Sequence, residues 1–327
     1  MTDQVFFEVP PLDPAVADAL AGGRLGDPFA ILGPHDTPQG RIVRAFLPGA
    51  TDVEVLSSDG ARVLTQLRGG EPYGLFGGRL SNVEPYRLRI RWPGGVQETE
   101  DPYAFGLLLG ELDLYLFGEG RHFELSFALG SRPITIDGVP GVRFGVWAPN
   151  ARAVSVVGDF NSWDTRRHPM RVRHGAGIWE LFIPRIGPGA RYKFAIVAPD
   201  GRKLPLKADP LARRTESAPA TASVVADCLP ISWHDEAWMA SRSDRHRVDA
   251  PISIYEVHAG SWLRPDKDDP TRFPSWDDLA ERLVPYVQDM GFSHVELMPI
   301  AEHPFTGSWG YQPLGLFAPS ARYGAPD

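Results

Sequence analysis

A ten-residue pattern recurs in this chain at constant spacing. Phe46-Leu-Pro-Gly-Ala-Thr-Asp-Val53-Glu-Val55 lines up with Trp147-Ala-Pro-Asn-Ala-Arg-Ala-Val154-Ser-Val156, an offset of 101 residues from Val55 to Val156. Further on, Tyr86-Arg-Leu-Arg-Ile90 is echoed by Tyr192-Lys-Phe-Ala-Ile196. Each run is strand-like and bounded by turn residues. A repeat of this length implies two tandem domains of one kind; chance likeness of turn–strand patterns is the alternative. The 34 glycines and 32 prolines are spread along the chain between short apolar runs. That distribution reads as turn-rich β structure, and short strands with frequent turns fit a β-sandwich.

The first third opens with an expected helix, Pro14 to Leu20. Asp13 is its N-cap, Pro14 suits the first helical position, and Gly22-Gly23 stop it. Strands are expected at Ile42 to Phe46, Asp52 to Leu56, Ala61 to Leu67 and Tyr86 to Arg91. Turn signals stand at Pro48-Gly49, Asp59-Gly60, Gly69-Gly70 and Pro93-Gly94-Gly95. Leu107 to Phe127 reads as a connector with helical content. Arg213 to Ala222 and Arg242 to Arg247 read as solvated linker. The boundaries expected are 1–110, 111–230 and 231–327.

The grammar changes at Ala250. Ile252 to His258 reads as a strand, and a helix follows from about Ser275, whose pairing with Asp278 is a capping box. Leu279, Leu283, Tyr286, Val287 and Met290 share one helical face, and Gly291 suits a left-handed cap. Pro285 inside the helix predicts a kink or irregularity. His294 to Ile300 reads as a second strand. Strand–helix–strand predicts parallel strands, normally buried on both faces. One such unit leaves Ile252, Ile254, Val257, Val295, Leu297 and Ile300 short of partners, so residues 251–327 are expected to be poorly ordered or aggregation-prone in isolation.

Bulk properties exclude several classes. The net charge of −8 argues against broad affinity for nucleic acid or anionic membrane. The single cysteine, Cys228, rules out an intrachain disulfide framework and suits a reducing cytoplasm. Met1 to Pro10 lacks the pattern of a signal peptide, and no apolar run reaches the ~18 residues of a membrane helix. No glycine-rich segment fits a phosphate loop, and the nine histidines show no metal-ligand spacing. Neither a cofactor nor a metal is expected.

Five stretches carry a family likeness. They are Asp27-Pro-Phe-Ala-Ile-Leu-Gly33, Val157-Gly-Asp-Phe-Asn-Ser-Trp163-Asp164, Leu206-Lys-Ala-Asp-Pro210, Tyr255-Glu-Val-His-Ala-Gly-Ser-Trp262, and Glu296-Leu-Met-Pro-Ile-Ala-Glu-His-Pro-Phe-Thr-Gly-Ser-Trp-Gly-Tyr-Gln-Pro313 with Arg322-Tyr-Gly324. In this order they resemble the front part of bacterial glycogen (1,4-alpha-glucan) branching enzymes of the alpha-amylase superfamily. Gly26 stands where that family usually has His. The resemblance implies a mainly β chain: two tandem immunoglobulin-like β-sandwich domains, then the first strand–helix–strand of a truncated (β/α)8 barrel. It implies retaining transglycosylation from α-1,4 to α-1,6 linkage, which needs a carboxylate pair. Those groups fall on later barrel strands, so no catalytic residue is assigned here and the chain alone is expected to be inactive.

By the same resemblance Tyr311 stacks on a bound glucose, Gln312 separates branching enzymes from debranching relatives that carry Asp there, and Trp309 rims the cleft or packs. Trp163, Trp179 and Lys193 match glucan-binding positions of related sandwich modules, but the spacing of Trp179 favours a core position. Glu302 and His303 complete no nucleophile–base arrangement and are expected to support the loop. His258 is expected to be a hydrogen-bonding scaffold. The expected partner is an α-1,4-glucan such as glycogen or amylose. Two alternatives stand: a debranching or trehalose-releasing hydrolase of the same superfamily, and a stand-alone glucan-binding module.

Overall fold

The computed structural model describes residues 9–38, 40–81, 84–227, 231–266, 268–269 and 271–326. Cys228 and most of the Met1 to Pro10 segment lie outside the described residues. The chain divides into two compact units, one up to Asp209 and one from Pro210.

The first unit begins with helix α1 (Pro14–Ala21). The Asp13 side chain accepts the Ala15 N–H at 2.8 Å, and Gly23 leaves the helix at φ 62°. Seven strands follow: β1 (Gly33–Thr37), β2 (Gly40–Phe46), β3 (Asp52–Ser57), β4 (Val63–Gly70), β5 (Leu75–Leu80), β6 (Tyr86–Trp92) and β7 (Gly95–Glu100). They form one antiparallel sheet in the order β1-β2-β5-β4-β3-β6-β7. Strand β4 turns the corner: its first part pairs with β3, and Arg68–Gly70 pair with β5. The sheet therefore curls around one core, which includes Val43, Val53, Val55, Leu67, Phe76, Leu88 and Ile90.

Gly69-Gly70, expected as a turn, lies inside β4, and the reversal falls on Glu71 to Gly74. Strand β5 carries little strand signal in the sequence because Gly77 and Gly78 dilute its propensity. A Cβ on Gly78 would stand 2.8 Å from Leu67 Cδ2, so any larger residue there would push the Leu67 side chain of β4 aside. Strand β7 is mostly exposed and polar, with no apolar alternation to read.

The connector carries two short helices, α2 (Glu111–Gly118) and α3 (Leu125–Ala128). Six strands follow: β8 (Gly130–Ile136), β9 (Val139–Trp147), β10 (Ala153–Gly158), β11 (Arg171–Arg173), β12 (Ile178–Pro184) and β13 (Arg191–Val197). One sheet has the order β11-β12-β9-β8, and β10 pairs antiparallel with β13 in the other. Phe144 of β9 meets Tyr192 of β13 edge-on at 4.9 Å, both fully buried between the sheets. The fully buried Glu180 accepts the Leu108 and Leu109 amides, each at 3.0 Å, and pairs with Arg171 at 3.0 Å. It thereby ties the connector to β12.

The sequence repeat is a structural one. Val53 lies opposite Ile90 across β3 and β6, and Val154 opposite Ile196 across β10 and β13. In both copies the Pro-containing segment links a strand to one that is not its hydrogen-bonded neighbour.

In the second unit, β14 (Arg214–Thr215) pairs with β15 (Ser223–Val224), so the stretch expected as linker has a short hairpin-like ladder. Most of the charged run 242–247 falls in helix α4 (Glu236–Arg245). Strand β16 (Ile254–Val257) leads to the short helix α5 (Ala259–Trp262), helix α6 (Trp276–Asp289) and strand β17 (His294–Leu297). Strands β16 and β17 are parallel, with Val257 opposite Leu297.

The capping box closes as expected: Ser275 Oγ accepts the Asp278 N–H at 3.0 Å, and Asp278 Oδ2 accepts the Ser275 N–H at 2.9 Å. At the other end Gly291 has φ 79°, and the Phe292 N–H reaches the Val287 carbonyl at 3.0 Å. Helix α6 runs on through Pro285. Of its apolar face, Leu279, Leu283 and Val287 are buried, while Tyr286 and Met290 stay exposed. Val257 is buried, whereas Ile252, Ile254, Val295 and Leu297 are exposed.

Candidate functional site

Two places gather the residues singled out by sequence, one in each unit. The first lies at one end of the β10–β13 pair. Strand β10 ends at Gly158, whose N–H donates to Asn161 Oδ1 at 2.9 Å. The Trp163 N–H returns to the Gly158 carbonyl at 2.9 Å, closing a tight loop with Ser162 and Trp163 both left-handed (φ 56° and 59°). Asn161 is buried and donates to the Val156 carbonyl at 2.9 Å, so it builds the loop.

On β13, Tyr192 and Phe194 point into the core, which leaves Arg191 and Lys193 on the opposite face. The Asp159 carboxylate joins the loop to that face, accepting from Trp163 Nε1 at 3.0 Å and from Arg191 Nε at 2.7 Å. The Arg191 guanidinium holds the Asp159 carboxyl below the usual carboxylate range, and the Trp163 bond adds to this. Trp163 thus stands, half-buried, at the same strand end as Lys193, which lies opposite Val157. An aromatic plane beside charged and hydrogen-bonding groups can take the C–H face and the hydroxyls of a sugar. Trp179 is not part of this surface. It is 2% exposed and donates its indole N–H to the Ala148 carbonyl at 3.0 Å.

The second place is set by the parallel strands β16 and β17, whose C-terminal ends share one edge. His258 follows β16; its Nδ1 lies 2.8 Å from Ser261 Oγ, and its ring is 5.8 Å from that of Trp309. Burial lowers the His258 pKa, and the nearby His303 lowers it further. The segment after β17 is closed at its base. Glu302 N–H donates to the Ala318 carbonyl at 2.9 Å, and the Leu314 N–H donates to the Glu302 carbonyl at 3.0 Å. The Glu302 carboxylate accepts from Arg322 Nη1 at 2.7 Å and from the Ala321 N–H at 2.6 Å. Arg322 also reaches the His303 carbonyl at 2.9 Å.

Glu302 and His303 are each 3% exposed, so this pair builds the loop. The loop presents its aromatics outward: Trp309 is 56% and Tyr311 62% exposed, with Gln312 exposed beside them. The clamping partner of Glu302 was not legible beforehand, because Arg322 lies twenty residues away and shows no charge pattern.

Residues 13–103 match the family described as alpha-1,4-glucan branching enzyme GlgB, N-terminal domain, and residues 128–212 match Carbohydrate-binding module 48 (Isoamylase N-terminal domain). The 1,4-alpha-glucan branching enzyme GlgB 1 of Xanthomonas campestris pv. campestris (strain 8004) is 59% identical over 315 residues, covering 96% of this chain and 43% of that protein. The 1,4-alpha-glucan branching enzyme GlgB of Ralstonia nicotianae is 61% identical over 340 residues, covering 97% of this chain and 44% of its own. A crystal structure described as a putative alpha amylase from Salmonella typhimurium is 26% identical, covering 61% of this chain and 29% of its own, with a TM-score of 0.45. The chain spans less than half the length of the curated relatives it matches. Over its own length it belongs to the bacterial 1,4-alpha-glucan branching enzymes, in their N-terminal portion.

Proposed function

We propose that this chain is the glucan-handling front of a cytoplasmic branching enzyme that forms α-1,6 branches in glycogen by retaining transglycosylation. The observation that carries this reading is the identity of 59–61% to proteins named as branching enzymes, sustained over 96–97% of the chain. In this reading the two β domains, 1–110 and 111–230, are immunoglobulin-like. The β16–α6–β17 unit within 231–327 begins a (β/α)8 barrel, whose strand ends carry the chemistry in that fold. Tyr311 would stack on a glucose ring, with Gln312 and Trp309 beside it, and Trp163 with Lys193 would hold a glucan chain on the second domain. No carboxylate of this chain is given a catalytic role.

The test is retardation of the 327-residue chain in a native gel containing glycogen, paired with an amylose-branching assay. Retardation that Trp163→Ala weakens, without branching activity, is the expected result. Branching above a buffer control would overturn the assignment of chemistry to residues outside this chain. Unretarded migration would overturn glucan handling by this chain.

A further inference from the structure

Trp309 follows the turn 306–308 with its backbone left-handed at φ 55° and its side chain largely open to water. Among the described residues its indole has one ring neighbour, the imidazole of His258, at 5.8 Å and tilted by 38°. An exposed indole with nothing behind it samples several rotamers, so whatever backs the ring decides where its open face points.

The imidazole is itself held from several sides. His258 Nδ1 lies 2.8 Å from Ser261 Oγ of α5. Gly260 leaves room for the ring, because a Cβ there would stand 3.2 Å from His258 Cε1 and 2.9 Å from Tyr323 Oη. His303 approaches from the segment after β17. It is 3% exposed, and its Nδ1 donates to the Ala301 carbonyl at 3.0 Å. The end of β16 and its short helix therefore fix His258, and His258 is the ring that Trp309 meets.

We propose that His258 is the positioning residue of Trp309: pinned by Ser261, its ring backs the indole and fixes the aromatic face that the loop after β17 presents. That this face meets a sugar rests on the glucan reading above; the stack does not.

The arrangement makes the support of Trp309 depend on pH. His303 is the titratable neighbour that bears on the His258 charge, and no carboxylate among the described residues offsets it. Glu302, next to His303 in the chain, is paired with Arg322. The Tyr323 hydroxyl stays neutral, its pKa raised by burial. Burial and His303 together hold the His258 pKa below its ordinary 6.5. The support is therefore complete above pH 6.5 and is lost as the pH falls through the lower folded value.

The test reads the emission of Trp309 in the 327-residue chain, taken as the difference between each chain and its Trp309→Phe counterpart. An imidazolium quenches an adjacent indole and a neutral imidazole does not. The unsubstituted chain should lose Trp309 emission on acidification, with a midpoint below pH 6.5. His258→Phe keeps a ring against the indole, so it should lose this pH step while shielding Trp309 from acrylamide at pH 7.5 as well as the unsubstituted chain does. His258→Ala, with its melting temperature checked, should let acrylamide reach Trp309 more readily. The same pH step in His258→Phe as in the unsubstituted chain would overturn the proposal. So would unchanged acrylamide access in a folded His258→Ala chain, or a failure of His258→Phe to restore the shielding. No sugar enters these measurements, so their failure leaves the glucan reading standing, and the failure of that reading in a glycogen gel leaves the stack standing.

Discussion

Tyr86 donates its hydroxyl to the Asp101 carboxylate at 2.7 Å, and Tyr192 makes the corresponding bond to Asp209 at 2.5 Å. Each tyrosine opens the apolar run that the two repeats share, and each aspartate precedes a proline at the end of its domain. Burial raises both phenol pKa values, and the adjacent carboxylate raises them further. Both hydroxyls therefore stay protonated donors at neutral pH. Tyr86→Phe or Tyr192→Phe leaves a buried carboxylate short of one donor, which should cost about 1.5–3 kcal/mol. Urea unfolding of the chain measures it, and Tyr311→Phe, at a 62% exposed site, is the control expected to cost almost nothing.

Asp101 also gives the fold a pH dependence. Burial raises its pKa to about 6, while the bonds from Tyr86 and Tyr103 pull the other way. The folded state then holds a proton that the unfolded chain has released. This group's stabilisation is complete below its ordinary pKa near 3.8 and is lost as pH rises through about 6. Relative to Asp101→Asn, the unsubstituted chain should lose roughly 2–3 kcal/mol between pH 4 and 7. His168 acts in the opposite sense. Burial lowers its pKa to about 3, so its contribution is present above pH 6.5 and fades as the pH falls below that. Stability measured across this range in both Asp101→Asn and His168→Gln separates the two slopes. Parallel curves for Asp101→Asn and the unsubstituted chain would count against a raised carboxyl.

Local chemistry made much of this fold legible. Asp13, Ser275 with Asp278, and Gly291 each cap a helix as their residue types require, because capping depends on neighbours within a few positions. The repeat was legible because β3–β6 and β10–β13 keep one register. Tertiary contacts hid the rest. Strand β5 contains two glycines that dilute its pattern, and at Gly78 a Cβ would crowd the Leu67 side chain of β4. The segment 213–222 looks like linker until Arg214–Thr215 find Ser223–Val224. At the candidate sites, sequence put Trp163 on a turn, Tyr311 at the strand-end loop and Trp179 in a core, and left Trp309 between rim and packing. It could not supply Asp159 as the link between Trp163 and Arg191, nor Arg322 as the partner of Glu302, because both depend on groups brought together by the fold.

The Glu302–Arg322 pair is among the most buried ion pairs in the second unit, with side chains 4% and 10% exposed. Removing one partner strands a charge out of water, a change that typically costs about 3–5 kcal/mol. Arg322→Met should therefore loosen the whole segment from His303 to Ala318, which Glu302 closes at both ends through its main chain. Hydrogen exchange of residues 303–318 is expected to quicken in this variant while that of 130–197 stays unchanged. Exchange in 303–318 as slow as in the unsubstituted chain would mean that the backbone bonds alone hold the loop.

Gly310 sets the geometry of the same loop in a way no other residue can. Its φ is 92°, and a Cβ built there would stand 2.0 Å from the Pro299 carbonyl oxygen, well inside contact. Trp309 beside it is also left-handed, at φ 55°. The two residues turn the chain sharply, so that Tyr311 N–H closes onto the Ser308 carbonyl at 3.0 Å and both rings face outward. A side chain at 310 must push the backbone away from Pro299, because the atom it meets cannot rotate aside. Gly310→Ala should therefore quicken exchange in 303–318 and shift the fluorescence of Trp309, while Tyr311→Ala, which removes only an exposed ring, should leave exchange unchanged. If Gly310→Ala matches the unsubstituted chain in both measurements, the loop reaches its conformation without the close approach to Pro299, and glycine is not required there.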